Sequence, residues 1–293
     1  MIEINYVCGF ANRLFQLSIA NIIAKHHKLW LQPSPIHGIP HSYHAVEGIK
    51  IKAEPKTIAT LADVRNILKS ETIANPLLIR GLFQQSDLYI SDKNKIRDYW
   101  LKLDPAFEPD EKASGCDLVV HVRRGDYLLH NWGAPFSYYQ EAIESTQFSK
   151  MAIITDDPHD PFMRRFERYK PSIVCSHYLN DFACLIKAKK IIMSPSTFSW
   201  WGAFLSNAEE IIFPIPLHGI WSPRYREDCD LALPSSLTQY RYIICREPLK
   251  LNPIERLYFE RKYLGLKIKN QGFAGYLKSH ISSAGKLARQ YLR

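Results

Sequence analysis

A short apolar run, Leu118-Val-Val120, leads straight into His121-Val-Arg-Arg-Gly-Asp-Tyr127. A strand over this run would deliver His121, Arg123 and Arg124 to a turn at Gly125. Two guanidiniums beside an imidazole at a strand's carboxyl end suit a diphosphate, because guanidinium forks bind phosphate oxygens in pairs and always stay charged. A surface arginine pair bridging to acids is the plainer alternative. A second block, Ile153-Ile-Thr-Asp-Asp-Pro158, closes an apolar run with two carboxylates, Asp156 and Asp157. They can bind a metal, act as acid or base, accept hydrogen bonds from a nucleobase, or simply cap a helix ahead of Pro158. A third, Ser194-Pro-Ser-Thr-Phe-Ser-Trp-Trp-Gly202, follows Lys190-Ile-Ile-Met193. Hydroxyls of Ser196, Thr197 and Ser199, with backbone N–H groups at a strand-to-helix turn, form an anion cradle. Trp200 and Trp201 read as core. A fourth, Cys8-Gly-Phe-Ala-Asn-Arg-Leu-Phe15, offers close backbone approach at Gly9 and phosphate contacts from Asn12 and Arg13 at a helix start. Asp228-Cys-Asp230 spells the metal motif of many sugar transferases, but Arg226-Glu227 precedes it instead of an apolar strand, so it reads as a loop.

These blocks need a frame that gathers their ends. Ile2–Val7 reads as a buried strand, followed by an amphipathic helix over Asn12–His26 and a second strand at Leu29–Leu31. Residues 32–55, rich in Pro, His and Gly, read as an irregular connection. Helices are predicted at Leu61–Lys69 and Asp92–Trp100, and a strand at Leu77–Ile79. Pro105, Pro109 and Gly115 then interrupt the pattern and mark 104–116 as a linker. Beyond it, strands at Leu118–Val122, Met151–Thr155, Ile173–Cys175, Lys190–Met193 and Glu210–Pro214 alternate with helices at Tyr138–Ser145, Pro161–Tyr169, Asp181–Ala188 and Phe198–Asn207. Such alternation predicts a parallel sheet covered on both faces. Ligands of such sheets bind beyond the carboxyl ends of the strands.

Composition narrows the classes further. Of 293 residues, 46% are hydrophobic and 23% charged, which excludes disorder, collagen and coiled coil. No apolar run approaches the ~20 residues that span a bilayer. Met1–Val7 does not resemble a signal peptide, so a cytoplasmic chain is expected. Six cysteines without a C-x-x-C pair predict buried thiols in a reducing compartment, not disulfides or zinc. The net charge of +9 is uneven: residues 246–293 hold eleven Lys/Arg against three Glu, so the rest is close to neutral. A basic tail suits an anionic partner, while nucleic-acid binding would want that charge on the body. From Phe273 to Leu292 apolar residues recur three and four apart, with Lys278, Lys286, Arg289 and Arg293 mostly opposite. Such a helix suits a membrane interface, or a docking place on the protein body.

Taken in order, Gly9–Gln16, His121–Tyr127, Thr155–Asp157 and Ser196–Leu205 resemble the motifs of the bacterial α-1,2-fucosyltransferases of glycosyltransferase family 11. Gly81-Leu-Phe-Gln-Gln-Ser-Asp-Leu-Tyr89 and Tyr138-Tyr-Gln-Glu-Ala-Ile143 resemble secondary motifs of that family. The likeness runs from about residue 6 to 221, with Ala11, Arg13 and Pro195 standing where the family has Gly, Gln and Asn. It implies an α/β, GT-B-like fold of two Rossmann-type domains with parallel sheets, ahead of a basic C-terminal helical tail. The division expected is residues 1–112 on the acceptor side, 113–245 for the GDP-sugar, and 246–293 as the tail. The resemblance implies GDP-β-L-fucose as donor, no metal or other cofactor, and inversion at the anomeric carbon. Arg123 would bind the β-phosphate, His121 and one of Asp156 and Asp157 would face guanine, and Ser196, Thr197 or Ser199 would bind the pyrophosphate, with Gly9 and Asn12 in the same donor site. Bond cleavage builds negative charge on the diphosphate, which Arg123 and Arg124 would stabilise in place of a metal. Asp126 is the candidate base for the acceptor hydroxyl, with His130 second. The acceptor implied is O2 of a galactose-containing, lipid-linked precursor of a surface glycan such as O-antigen, met at the inner face of a bacterial membrane, with no nucleic-acid partner. Rival readings are another linkage, another GDP-sugar, or a non-catalytic nucleotide-binding protein.

Overall fold

A computed structural model of the chain describes residues 1–31, 33–40, 53–217, 229–232 and 239–263. Three short strands, β1 (Ile2–Ile4), β2 (Lys56–Ile58) and β3 (Leu77–Ile79), form a parallel sheet in the order β1-β3-β2. Helix α1 (Phe10–His27) follows β1, and α2 (Leu61–Lys69) follows β2 behind a capping box of Thr60 and Asp63. The helix expected over Asp92–Trp100 divides in two. After the single turn α3 (Asp87–Ile90), α4 (Lys93–Lys95) runs into a π-helical turn at Ile96–Trp100. The predicted strand at Leu29–Leu31 is a single bridge from Leu31 to Ile2. β2 begins just past the stretch read as irregular; only Ile58 of its three residues is buried, so it carries almost no apolar signal. This sheet is smaller than the Rossmann-type half that was expected.

The second sheet has six parallel strands: β4 (Leu118–Val122), β5 (Met151–Thr155), β6 (Ser172–Val174), β7 (Lys190–Ile192), β8 (Glu210–Pro216) and β9 (Tyr240–Cys245). Their order is β6-β5-β4-β7-β8-β9. The chain thus starts at the centre, winds outward to β6, and returns through β7 to wind the other way. Doubly wound sheets of this order open a crevice at the carboxyl ends where the direction reverses, here between β4 and β7. Every residue of β4 and β5 is buried, as covered parallel strands require. Alternate residues serve opposite faces. Val119, Ile154 and Ile191 join one core cluster, and Leu118, Val120, Ile153 and Ile192 join the other.

Helices α5 (Phe136–Glu144), α6 (Tyr178–Lys187) and α7 (Thr197–Leu205) cover the sheet, with a 3₁₀ stretch at Pro161–Tyr169 where an α-helix was expected. The first cluster runs on without a break into the smaller sheet. Its seam is α1 against α7, where the Phe15 ring centroid lies 4.8 Å from that of Trp201 and 5.1 Å from that of Trp200. Burial of such side chains stabilises by about 1.5–3 kcal/mol each.

The C-terminal segment departs from the expected boundary at 246. Residues 253–263 form a helix that starts with Pro253 and a reciprocal cap. The Glu255 amide donates to Asn252 Oδ1 at 2.9 Å, and the Asn252 amide to Glu255 Oε2 at 3.1 Å. Leu249 and Tyr263 pack on Leu128 of the body. The charged segment therefore begins as part of the fold, because Leu249, Tyr258 and Tyr263 have hydrophobic partners there, while Ile254 and Leu257 stay exposed. The stripe from Phe273 to Leu292 lies outside the described residues, as does Asp228. Asp230 is described, and pairs with Gln85 in a single parallel bridge. None of the six cysteines is joined in a disulfide, but Cys8 and Cys175 are exposed where burial was expected.

Candidate active site

The cleft at the switch point has a volume of about 360 Å³ and gathers the ends of both sheets. Gly9, Asn12, His121, Arg123, Asp126, Asp156, Ser196 and Thr197, all expected in the site, line it together. Two helices begin at its wall. α1 starts at Gly9 and α7 at Ser196, with no side-chain cap and no acid in either first turn. Their free amide N–H groups and dipole ends leave positive potential without an internal counterion. The Gly9 loop is held from behind by Gln16, which is fully buried in α1. Its Oε1 accepts from the Val7 amide at 3.0 Å and its Nε2 donates to the Val7 carbonyl at 3.2 Å. Asn12 Oδ1 accepts from Gln84 Nε2 at 2.8 Å.

Arg123 brings the formal positive charge. Its Nη2 donates to Asp126 Oδ1 at 2.5 Å and its Nη1 lies 3.2 Å from Asp156 Oδ2. Burial alone would lower its pKa, but Asp156 and Asp126 more than offset that and raise it. Asp156 also accepts from the Arg124 amide at 2.7 Å, so it clamps the turn after β4. Gly125 at the turn has φ +33°, and a Cβ there would lie 2.2 Å from Asp156 Oδ2. The turn thus needs glycine for both conformation and space. Burial pushes the Asp156 carboxyl up, and the charge of Arg123 offsets this only in part.

His121 is 3% exposed, with Nδ1 2.8 Å from Ser194 Oγ. Burial, with the nearby Arg123 charge, pulls its pKa from 6.5 down to about 3, so the ring is neutral. One further carboxylate lines the cleft that the sequence reading passed over: Asp181, in the first turn of α6 and 8% exposed. Its Oδ1 accepts from the Ser176 amide at 3.1 Å and the Ser176 hydroxyl at 2.7 Å. Among the described residues no Lys or Arg forms an ion pair with it, and both of these hydrogen bonds use Oδ1. Burial pushes its pKa up despite the two hydrogen bonds. Phe10, Tyr127, Tyr178 and Phe198 add aromatic walls. An acid opening a predicted helix gives no sequence signal beyond capping; only its place at the sheet's carboxyl edge marks it.

Five expected residues lie elsewhere, the first of them Arg13, which is exposed outside the cleft with Nε donating to the Cys8 carbonyl at 3.2 Å. Arg124 turns inward, 1% exposed, with Nε donating to the equally buried Asp160 at 2.7 Å and its guanidinium 4.0 Å over the Phe162 ring. Alternate residues of an extended chain face opposite sides, so the neighbour of Arg123 enters the core. Asp157 is fully buried and bonded to Tyr258, Lys262 and Tyr263 instead of facing the cleft. Ser199 is also fully buried, and its Oγ accepts from the Ser194 amide at 3.2 Å, tying the turn before α7. His130 stacks on Trp132 at 4.2 Å and does not line the cleft. Among the described residues no group of three or more His, Cys, Asp or Glu is placed to hold a metal ion.

Residues 80–217 match the model of Glycosyl transferase family 11, the family that the motifs resemble. The O-antigen biosynthesis glycosyltransferase WbnK of Escherichia coli is 30% identical over 111 residues, which span 33% of this chain and 37% of that protein. Among solved structures, the α-1,6-fucosyltransferase NodZ co-crystallised with GDP aligns with 76% of this chain and 98% of its own, at 16% identity and a TM-score of 0.48. The fucosyltransferase NodZ from Bradyrhizobium aligns with 72% and 93%, at 14% identity and a TM-score of 0.45.

Proposed function

We propose that this chain, which over residues 80–217 matches the model of glycosyl transferase family 11, is a member of that family and transfers L-fucose from GDP-β-L-fucose to O2 of a galactoside, with inversion and without a metal. The observation that carries this reading is the convergence of Arg123 and the uncapped starts of α1 and α7 on one cleft. A guanidinium and two helix N-termini make a cradle for a diphosphate. As the fucosyl bond breaks, negative charge grows on the leaving diphosphate and this cradle stabilises it, the task a divalent metal performs elsewhere. Ser196 and Thr197 add donors at the start of α7, and Gly9 and Asn12 do so at α1.

Base recognition falls to His121 and Asp181, instead of to Asp156 or Asp157. A carboxylate oxygen facing no cation suits the adjacent N–H groups of guanine, and a neutral imidazole costs no charge burial. Asp126 takes the acceptor proton. It is paired to Arg123; a diphosphate on Arg123 competes for that pair and frees the carboxylate. The GT-B-like pairing of an acceptor-side half with the donor half follows from the same reading. The acceptor is a lipid-linked precursor of a surface glycan such as O-antigen. The enzyme is cytoplasmic and held at the inner membrane face by its basic tail. A product with L-fucose on O2 of galactose, formed from GDP-fucose and a panel of β-galactosides in the presence of EDTA, is expected. Another linkage overturns the acceptor assignment, and activity lost in EDTA and restored by manganese overturns the metal-free mechanism.

A further inference from the structure

Two carboxylates, Asp126 and Asp156, pair with Arg123, and a third element holds side chains close to each of them in sequence. Asp126 sits in the 3₁₀ turn Gly125–His130, and Leu128 and Leu129 of that turn pack with Leu249, Leu251, Tyr258 and Tyr263 in a separate small cluster. Asp156 is followed directly by Asp157, whose carboxylate accepts from Tyr258 OH at 2.9 Å, Lys262 Nζ at 2.7 Å and Tyr263 OH at 2.6 Å. Burial of Asp157 raises its pKa, and the hydrogen bonds from Lys262, Tyr263 and Tyr258 more than offset this to hold it ionised. A fully buried carboxylate with three donors from one helix fixes that helix and the loop with similar strength. A second clamp lies behind it, where buried Glu255 accepts from Arg165 Nε at 2.7 Å. The helix at residues 253–263 therefore packs on the turn that carries Asp126 and is bonded to the residue that follows Asp156.

We propose that this helix is a working part of the donor site, in which Tyr258, Lys262 and Tyr263 are positioning residues that hold Asp157, and through it Asp156 and the Arg123 guanidinium, in register with the diphosphate cradle. The proposal rests on the donor reading above. Its consequence is that the C-terminal segment cannot be removed as a unit from residue 246: the residues that hold the donor site reach at least to Tyr263.

The test uses the full chain with Tyr263→Phe, which removes one hydroxyl, and with Lys262→Met, a milder change at a half-exposed side chain. GDP affinity is measured by titration calorimetry, folding by circular dichroism and thermal unfolding, and hydrogen exchange over peptides 120–130 and 153–160 in the absence of nucleotide. We expect at least one variant to remain folded, to bind GDP tenfold or more weakly, and to exchange faster in both peptides. Lys262→Arg should retain most of the wild-type affinity. Variants that lose thermal stability but keep wild-type GDP affinity and wild-type exchange near Arg123 would make the helix a mere brace and overturn the proposal. If the wild type ignores GDP altogether, the donor reading fails; faster exchange in the two peptides then still supports the positioning role, and unchanged exchange overturns it.

Discussion

Arg123 and Arg124 are adjacent, identical in chemistry and opposite in use. Arg123 lines the cleft with both of its carboxylate partners at the wall, so a phosphate can compete for it. Arg124 is sealed against Asp160 and Phe162. Arg123→Ala should lower turnover about a hundredfold or more, which is ~3 kcal/mol of barrier, while the thermal midpoint stays near that of the wild type. Arg124→Ala should do the reverse first: it strands Asp160 in the core, and breaking a buried pair costs about 3–5 kcal/mol. Calorimetric unfolding of the two variants checks this, and an Arg124→Ala protein as stable as the wild type would sink the structural assignment. His121 gives a pH signature. Its pKa is 6.5 in the ordinary case and about 3 when folded, so between these values the unfolded chain takes up a proton that the folded chain refuses. Stability contributed by the neutral ring is present above pH 6.5 and declines as pH falls towards 3. His121→Gln should flatten that part of the curve of thermal midpoint against pH; equal slopes in both proteins would refute it.

Among the elements, the turn after β4 is the most constrained. Gly125→Ala forces a side chain into positive φ and into Asp156 at once, so the turn or the carboxylate must move. The cost should exceed the ~1 kcal/mol of an ordinary glycine-to-alanine mismatch, and GDP affinity should fall tenfold or more in a nucleotide titration. Near-wild-type affinity would show that the turn yields freely. The strand that feeds this turn was legible: Leu118–Val122 and Met151–Thr155 appear with the bounds read from the chain, because five consecutive residues buried on both faces leave a continuous apolar run. β9 was not legible as a strand. Tyr240–Cys245 lies at the sheet edge beyond β8, and half-exposed residues such as Ile244 blur its pattern.

At the scale of the molecule, the charge asymmetry and the docked helix must be reconciled. The docked helix is described as far as Tyr263, and the basic amphipathic stripe read from Phe273 to Leu292 lies further along the sequence. A chain ended after Tyr263 should keep fucosyl transfer to a soluble acceptor and lose binding to vesicles of anionic lipid. Each basic residue near such a surface contributes ~1 kcal/mol at low salt. Co-sedimentation with vesicles at moderate salt checks this: if the intact chain stays in the supernatant, the membrane role fails.

Residue order alone determined the parallel α/β frame and the polar blocks at the strand ends, and it carries the resemblance to glycosyl transferase family 11, whose model matches residues 80–217. Each rests on local patterning: apolar period, strand-to-helix alternation, and polar blocks at the breaks. Local patterning also marked Trp200 and Trp201 as core, and both are buried against Phe15. Which side of the backbone each polar residue takes was decided only when the chain closed. Asp156 and Asp157 are neighbours of one type, yet one holds Arg123 at the cleft and the other holds a helix about a hundred residues later in the chain. Asp181 entered the cleft because α6 crosses from β6 at the sheet edge towards β7, which carries its first turn over the carboxyl ends of the strands. Such placements depend on partners distant in sequence, and burial and pairing with those partners set the charge and role of each group.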